Sequence, residues 1–267
     1  MDPYKITSGA GFSLDDFSAN DRQVFAGKKS AGVKTLKALR KELAELQHLL
    51  WAQHTNKLLL VLQAMDTGGK DGTIRNVFRG VNPQGVRVAN FKVPTSTELG
   101  HDYLWRVHRR TPGNGEIVVF NRSHYEDVLI VRVLSLVPGD HWSKRYQHIV
   151  DFERRLADEG TAIVKIYLNI SKEEQARRLQ DRLDDPTKHW KFNIGDLKHR
   201  ELWDQYMEAY SDCIAKTATP TAPWYVVPAD TKWYRNIIVT QILVDTLKAL
   251  SMTFPDPDDG LENVVIS

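Results

Sequence analysis

The feature that most limits the fold is a run of five apolar residues, 58–62, followed almost at once by the glycine-rich segment 64–73. The run predicts a strand buried on both faces, and a helix is expected over residues 70–79. A strand, a glycine-rich turn and a helix in this order typically bind phosphate, because glycines let backbone N–H groups approach an anion and a helix N-terminus carries partial positive charge. The segment therefore predicts a phosphate-binding loop.

The loop departs from the standard phosphate-loop pattern, G-x-x-x-x-G-K-S/T, at two positions. Gly69 and Lys70 match, whereas Ala64 replaces the first glycine and Asp71 replaces the hydroxyl residue that usually holds Mg²⁺. At this point an ordinary glycine-rich turn remains the alternative. The residues expected to bind phosphate here are Gly68, Gly69, Lys70, Asp71, Gly72 and Thr73.

Strands and helices alternate along the rest of the chain, which predicts an α/β fold with a parallel sheet covered by helices on both faces. The predicted strands are 58–62, 86–91, 116–120, 161–169 and 224–227. The predicted helices are 30–56, 70–79, 95–110, 141–159, one capped by Ser171, 195–217, and one capped by Asp230 that runs to residue 250. Thr95 and Glu98 form a capping box at the start of the third of these helices.

No repeat or low-complexity linker divides the sequence, so we expect residues 1–267 to form a single domain. Within it we expect an irregular N-terminal arm over residues 1–28. A helical excursion from the sheet is expected at about 171–217, and a loose tail at 251–267.

Charge and composition narrow the classes of function. Lys and Arg number 36 against 34 Asp and Glu, a net charge of +2, so the bulk charge does not indicate a nucleic-acid-binding protein. The locally basic segments 75–110 and 177–200 instead favour an anionic ligand held at one site. A single cysteine, Cys213, excludes an internal disulfide framework. Apolar runs are too short for a membrane span and no signal peptide is recognisable, so we expect a cytoplasmic location.

A second group of polar residues follows the predicted strand 116–120. Asn121 ends that strand, where related folds place a metal-binding acid. Because an amide alone is a weak partner for Mg²⁺, Glu126 or Asp127 must supply negative charge nearby. Arg122 lies at the edge where open α/β sheets bind ligands, and we interpret His124 as a packed histidine rather than a metal ligand.

Residues 121–127, Asn-Arg-Ser-His-Tyr-Glu-Asp, together with the loop 66–73, resemble the polyphosphate kinase 2 family. The resemblance covers about residues 25–250 and continues through Trp-Lys-Phe at 190–192, Ala-Pro-Trp-Tyr at 222–225 and Asn236. It implies a five-stranded parallel sheet of order 2-3-1-4-5, flanked by helices, of the phosphate-loop kinase type found in thymidylate kinase. The excursion at about 171–217 would be a helical lid.

The resemblance also implies an activity. Members of the family transfer phosphate between inorganic polyphosphate and nucleotides with Mg²⁺, and Mn²⁺ is a further candidate ion. The segment 121–127 is similar to the class that phosphorylates both AMP and ADP, giving ADP and ATP, with guanine nucleotides as further candidate acceptors. We expect a homo-oligomer that binds neither nucleic acid nor membranes. The alternatives are an ATP-dependent nucleoside monophosphate kinase and a non-catalytic polyphosphate-binding protein.

The resemblance assigns roles residue by residue. Asp66 is expected to hold the metal and orient the acceptor phosphate, and Lys70 is expected to contact polyphosphate. The implied catalytic residues are Asp66, Lys70, Asn121, Arg122 and Glu126. The implied metal ligands are Asp66, Asn121 and Glu126, and Asp127 remains a candidate ligand as the alternative acid near Asn121. The lid would contribute Arg177, Arg178 and Arg182 to phosphate binding, with Arg122.

Overall fold

A computed structural model describes residues 1–260 and 264–266. Six strands form one sheet: β1 (Lys5–Ile6), β2 (Lys57–Gln63), β3 (Val86–Asn90), β4 (Ile117–Asn121), β5 (Thr161–Asn169) and β6 (Trp224–Pro228). Their order across the sheet is β1-β6-β5-β2-β4-β3. The α/β architecture of the phosphate-loop kinase type is therefore present, with β2 at the centre.

The sheet is mixed, which corrects the expectation of five parallel strands. β2 pairs in parallel with β4 and β5, and β3 and β6 extend the parallel part on either side. β1 pairs antiparallel with β6 and adds a sixth strand at that edge, so the full order differs from the predicted one. The five parallel strands lie in the order β3-β4-β2-β5-β6. If these five are numbered 1 to 5 along the chain, this is the predicted order 2-3-1-4-5. A two-residue strand is too short to show a period of two, which is why the sequence did not reveal it.

The register of β2 and β4 brings two functional loops to one edge of the sheet. Leu62 lies opposite Asn121, and both strands are buried along almost their whole length. Because parallel strands end at the same edge, the segments after Gln63 and after Asn121 leave the sheet side by side. The Arg122 N–H donates to the Leu62 carbonyl over 3.1 Å, which fixes one segment against the other.

Helices pack against this sheet, and two sets of them contact one another. The α-helices in residues 1–260 are α1 (Lys29–Gln53), α2 (Lys70–Val77), α3 (Ser96–Leu99), α4 (Trp105–His108), α5 (Ile130–Val133), α6 (Gly139–Trp142), α7 (Arg145–Asp158), α8 (Lys172–Leu183), α9 (Gly195–Glu201), α10 (Trp203–Thr217) and α11 (Lys232–Ala249). In one set, α11 packs against α1 and α2 and also against β5 and β6; in the other, α7 packs against α10 and also against β5. Gly32 of α1 permits this approach, since a Cβ there would lie 2.5 Å from the Trp233 ring.

Three predicted helices are interrupted. The helix expected over 95–110 is two short helices. α3 ends at Leu99 with Gly100 as its C-cap, and the Asp102 side chain accepts from the Leu104 N–H just before α4 begins. The helix expected over 195–217 breaks at Leu202, whose ψ of 21° lies outside the helical range. The helix expected over 141–159 is divided into α6 and α7, although the intervening residues keep right-handed helical dihedrals. Periodicity cannot detect such short breaks.

The N-terminal arm is more ordered than predicted. It contains β1 and buries Tyr4, whose hydroxyl lies 2.6 Å from Asp21 Oδ2 and 2.8 Å from the Tyr234 hydroxyl. The predicted cap of the last helix is also wrong, because Asp230 Oδ1 accepts from the Ser171 N–H and leaves α11 without a side-chain cap.

The described part of the predicted tail lacks regular secondary structure, although Met252 packs against the core. Residues 251–260 of the predicted tail form neither helix nor strand, and residues 261–263 and 267 lie outside the described part. Among the helices described, none is both long enough and apolar enough to cross a membrane.

Candidate active site

A cleft of about 1580 Å³ opens at the edge where β2 and β4 end. Most of the predicted site residues line it: Asp66, Gly69, Lys70, Asp71, Gly72, Asn121, Arg122, Glu126, Asp127, Arg178 and Arg182. Gly68, Thr73 and Arg177 do not. The structure thus brings the loop, the end of β4 and part of the α8 arginine set into one space.

The phosphate-binding loop is tightly wound between β2 and α2. Gly69 is the N-cap of α2 with a φ of 103°, and a Cβ at this position would lie 2.1 Å from Arg235 Nη1. Only glycine fits this backbone conformation and this close approach. Lys70 folds back over the loop, and its Nζ donates to the Ala64 carbonyl over 2.8 Å.

Asp66 is the carboxylate around which the site is built. Arg122 Nη2 donates to its Oδ1 over 2.5 Å, and His199 Nδ1 lies 2.8 Å from its Oδ2. Burial alone would raise the pKa of Asp66. The hydrogen bond from His199 and the charges of Arg122 and Lys70 outweigh burial, and they hold the pKa well below its ordinary value. Asp66 is therefore ionised near neutral pH.

Arg122 bridges the loop to the segment after β4. The backbone of Arg122 has a φ of 61°, a left-handed conformation that is uncommon for residues other than glycine. The guanidinium contacts Asp66 and lies 3.6 Å from Glu126 Oε2, and the charge of Glu126 is the largest cause of its raised pKa. Burial and the neighbouring Arg122 charge lower the pKa of Lys70 to about 8, even though Asp66 and Glu126 oppose this.

Asn121 contacts the carboxylate of Asp71, a residue expected to bind phosphate as part of the loop. Its Nδ2 donates to Asp71 Oδ1 over 2.8 Å and to Asn90 Oδ1 over 2.9 Å. Asp127, one of the two acids expected to supply charge here, instead accepts from Arg145 Nη1 over 3.1 Å. Burial raises the pKa of Asp127 to about 6, against the effect of Arg145. The acid beside Asn121 is therefore Asp71, and Asp127 belongs to a separate ion pair.

The residues after Arg122 are anchored below the cleft. His124 is fully buried with Nε2 3.2 Å from Glu153 Oε1, which agrees with its interpretation as a packed histidine. The Tyr125 hydroxyl donates to the same oxygen over 2.7 Å, and Lys165 Nζ lies 2.6 Å from Glu153 Oε2. This buried network fixes the segment that carries Arg122 and Glu126.

The three lid arginines have three different environments. Arg177 is exposed, pairs with Glu174 and Asp181, and does not line the cleft in this structure. Helical periodicity explains the difference, since a residue next to Arg178 points about 100° away around α8.

Arg178 and Arg182 remain on the cleft side of α8. Arg178 is 5% exposed and donates to the carbonyls of Thr67, Gly68, Ala229 and Asp230, so it holds the loop in place. Arg182 donates to the Lys191 carbonyl over 2.9 Å and lies on the cleft wall.

Two residues of the site were missed from the sequence. His199 contacts Asp66 from α9, and Arg235 of α11 lies on the cleft wall beside Gly69. Burial lowers the pKa of Arg235 to about 9. The resemblance reached the neighbouring Asn236, which could have directed attention to Arg235. No comparable signal marks His199 within a helix of mostly polar residues.

The cleft contains carboxylates that could bind a divalent cation. Among the described residues, no group of three or more His, Cys, Asp and Glu side chains could hold a metal by itself. Asp66 and Glu126 nevertheless both flank Arg122 at the cleft. Mg²⁺ in phosphate-transferring sites is typically held by one or two carboxylates, with the rest of its shell from phosphates and water. These two carboxylates fit such an ion.

Comparison with known proteins adds to this geometry. The family model described as Polyphosphate kinase 2 matches residues 26–255. The chain is 56% identical over 266 residues to a protein of Meiothermus ruber named AMP/ADP-polyphosphate phosphotransferase, with 100% of both chains covered. It is 47% identical over 226 residues to an ADP-polyphosphate phosphotransferase of Rhodopseudomonas palustris, covering 80% of this chain and 78% of the relative.

A solved structure agrees with these sequence relatives. The crystal structure of polyphosphate kinase 2 from Arthrobacter aurescens TC1 superposes with a TM-score of 0.93 at 46% identity. The superposition covers 97% of this chain and 95% of that one.

Proposed function

The chain belongs to the polyphosphate kinase 2 family, and we propose that it transfers phosphate from inorganic polyphosphate to AMP and ADP, giving ADP and ATP. The name of the Meiothermus ruber relative contains AMP, ADP and polyphosphate, and that of the Rhodopseudomonas palustris relative contains ADP and polyphosphate. The observation on which the proposal depends is the joining of Asp66, Lys70 and Arg122 at one cleft. This arrangement places a phosphate-binding loop beside two positively charged side chains, Lys70 and Arg122, in the same cleft.

The composition of the cleft wall supports both substrates. Basic side chains contribute much of the lining near the loop and α8: Lys70, Arg75, Arg122, Arg178, Arg182, Lys188, Lys191, Lys232 and Arg235. They suit a polyanion that carries no base to recognise. Another part of the wall is apolar and aromatic, with Phe91, Val93, Leu99, Tyr103 and Leu136. That part suits the base and ribose of an acceptor nucleotide.

The reaction needs an in-line attack by an oxygen of the acceptor's terminal phosphate on the terminal phosphorus of polyphosphate. The bond to the next bridging oxygen breaks, and the shortened polyphosphate leaves with its electron pair. The attacking oxygen is already anionic at neutral pH, so no strong general base is required. Lys70 and Arg122 neutralise the negative charge that spreads over the transferring group.

Asp66 and Glu126 would hold Mg²⁺, with Mn²⁺ as an alternative ion. Asn121 lines the same cleft and donates a hydrogen bond to Asp71. When bound, such an ion would supply positive charge that neutralises the phosphates. Asp66 also keeps the Arg122 guanidinium in place through their ion pair. The segment α8–α10 acts as the lid of a single domain, because Arg178, Arg182 and His199 reach the cleft from it.

A donor comparison tests the proposal. The purified protein is incubated with AMP and Mg²⁺, in one reaction with polyphosphate and in another with ATP, and the nucleotides are separated. We expect ADP to form rapidly with polyphosphate and far more slowly with ATP. Rapid reaction with ATP and none with polyphosphate would instead identify an ordinary nucleoside monophosphate kinase. GDP and GMP in the same assay test guanine acceptors.

A further inference from the structure

Asp66 is held at three points, and two of them come from the lid. Its Oδ1 accepts from Arg122, but its Oδ2 is contacted by His199 of α9. Its backbone carbonyl accepts from Gln175 Nε2 of α8 over 3.0 Å. Gln175 is fully buried, and its Oε1 accepts in turn from Arg200 Nη1 over 3.0 Å. Two neighbouring residues of α9 therefore reach Asp66, one directly and one through α8.

The loop at this position needs such restraint. Thr67, the next residue, has a φ of 60°, which is unfavourable for a β-branched side chain. Its hydroxyl is buried and has no hydrogen-bond partner. A strained backbone persists only where surrounding contacts over-determine it. The contacts of His199 and Gln175 with Asp66 restrain the residue directly before Thr67 and so help to hold the strained backbone.

The direction of the His199 contact follows from the chemistry of its partner. An ionised carboxylate can only accept hydrogen bonds, so Nδ1 of His199 carries the proton and donates it. Each carboxylate oxygen has a second lone pair. The contacts from Arg122 and His199 therefore orient the Asp66 carboxylate and leave it able to bind a cation as well.

We propose that His199 is a positioning residue, which ties the lid helix α9 to the carboxylate of Asp66. The proposal rests on the function proposed above. When the lid is docked, the Nδ1–H of His199 fixes the rotation of the Asp66 side chain, and the carboxylate then faces the reacting phosphates. Without the α9 contact, the Asp66 carboxylate keeps only its hydrogen bond from Arg122.

Kinetics of two variants test this role. His199→Ala is expected to lower kcat about 10-fold, the usual scale for loss of a group that orients a metal-site ligand, with KM for polyphosphate changed less than about twofold. His199→Asn should recover most of kcat, because its amide N–H can reach the position of Nδ1–H. The matched control is His189→Ala: His189 lies in the same segment but contacts the Leu183 carbonyl and is not on the cleft wall. It should keep the parent's kcat.

Several outcomes contradict the proposal. A His199→Ala protein with the parent's kcat would show that the contact does not serve catalysis. Equal losses in His199→Ala and His199→Asn would show that ring packing is what matters, and equal losses in His189→Ala would point to general disturbance of the lid. Thermal unfolding of each protein separates a kinetic effect from loss of the fold.

A measurement without turnover tests the contact itself. In protein labelled with ¹⁵N-histidine, the His199 ring should give the signal of an Nδ1-protonated, hydrogen-bonded imidazole, identified by its absence from His199→Ala. Asp66→Ala should shift that signal. An unchanged signal in Asp66→Ala would overturn the contact. Because this result does not need polyphosphate, it remains decisive even if the parent protein fails the donor comparison.

Discussion

Asn121 Nδ2 donates a hydrogen bond over 2.8 Å to Oδ1 of Asp71, so two departures from the usual sequence pattern contact each other. Asp71 replaces the loop hydroxyl residue, and Asn121 replaces the acid expected at the end of the strand. Their side chains lie together at the mouth of the cleft. The loop thus supplies the carboxylate that the strand end lacks.

This pairing predicts a strong dependence of one substitution on the other. Asn121→Asp alone puts two carboxylates in contact, so we expect a clear loss of kcat/KM, whereas Asp71→Asn with Asn121→Asp exchanges acid and amide and should recover much of it. Coupling of neighbouring residues typically reaches about 1–2 kcal/mol. Steady-state kinetics of the parent, both single variants and the double variant measure this coupling. Additive effects of the two substitutions would contradict it.

Lys70 is expected to be essential for turnover and dispensable for folding. Removing one fixed charge that stabilises a transition state typically costs about 10²–10³-fold in kcat, so Lys70→Ala should lose at least ~10²-fold. Lys41→Ala is the control, because its side chain is 82% exposed on α1. The measurement is kcat at saturating polyphosphate, beside thermal unfolding. A folded Lys70→Ala protein with near-normal kcat would refute the assignment of the loop.

The pH dependence of polyphosphate binding should report the same lysine. Burial and Arg122 lower the pKa of Lys70 to about 8, so in the free protein the ammonium is charged below that pH and neutral above it. The affinity for polyphosphate should therefore fall as the pH rises through about 8. Lys70→Arg keeps its charge over this range and should flatten the decline. A titration of fluorescent polyphosphate between pH 7 and 9.5 measures it, and parallel curves for both proteins would contradict the prediction.

The lid arginines offer a matched pair. Arg182 lies on the cleft wall, whereas Arg177 pairs with acids outside it. Arg182→Ala should raise KM for polyphosphate, and the increase should be larger at low ionic strength, where charges are least screened. Arg177→Ala should leave KM unchanged at every salt concentration. Equal changes of KM in the two variants would show that Arg182 has no specific contact with polyphosphate and that α8 acts only through its overall positive charge.

Local sequence patterns predicted the parts of the site that lie close along the chain. The apolar run of β2, the glycines after it and the polar end of β4 are each short motifs, and parallel pairing brings them to one edge. The capping box of Thr95 with Glu98 was likewise confirmed, because it depends only on residues three apart.

The contacts that sequence could not predict join distant segments. His199 lies 133 residues from Asp66, and Arg178 meets the loop carbonyls from more than a hundred residues away. Such contacts depend on how α8 and α9 dock on the sheet, and helical periodicity does not contain that information. The same reason explains Asp127, which was placed near the metal by its position in a motif but pairs with Arg145 of α7.

The most direct test of the central claim is the time course of AMP with excess polyphosphate and Mg²⁺. The loop would bind the donor and the apolar part of the cleft wall would bind the base, so the protein should phosphorylate both AMP and ADP. The ADP concentration should therefore rise and then fall as ATP accumulates. Nucleotides are separated at intervals, with Lys70→Ala in parallel. Accumulation of ADP without ATP, or no consumption of AMP while added ADP is consumed, would contradict the phosphorylation of both acceptors at this site.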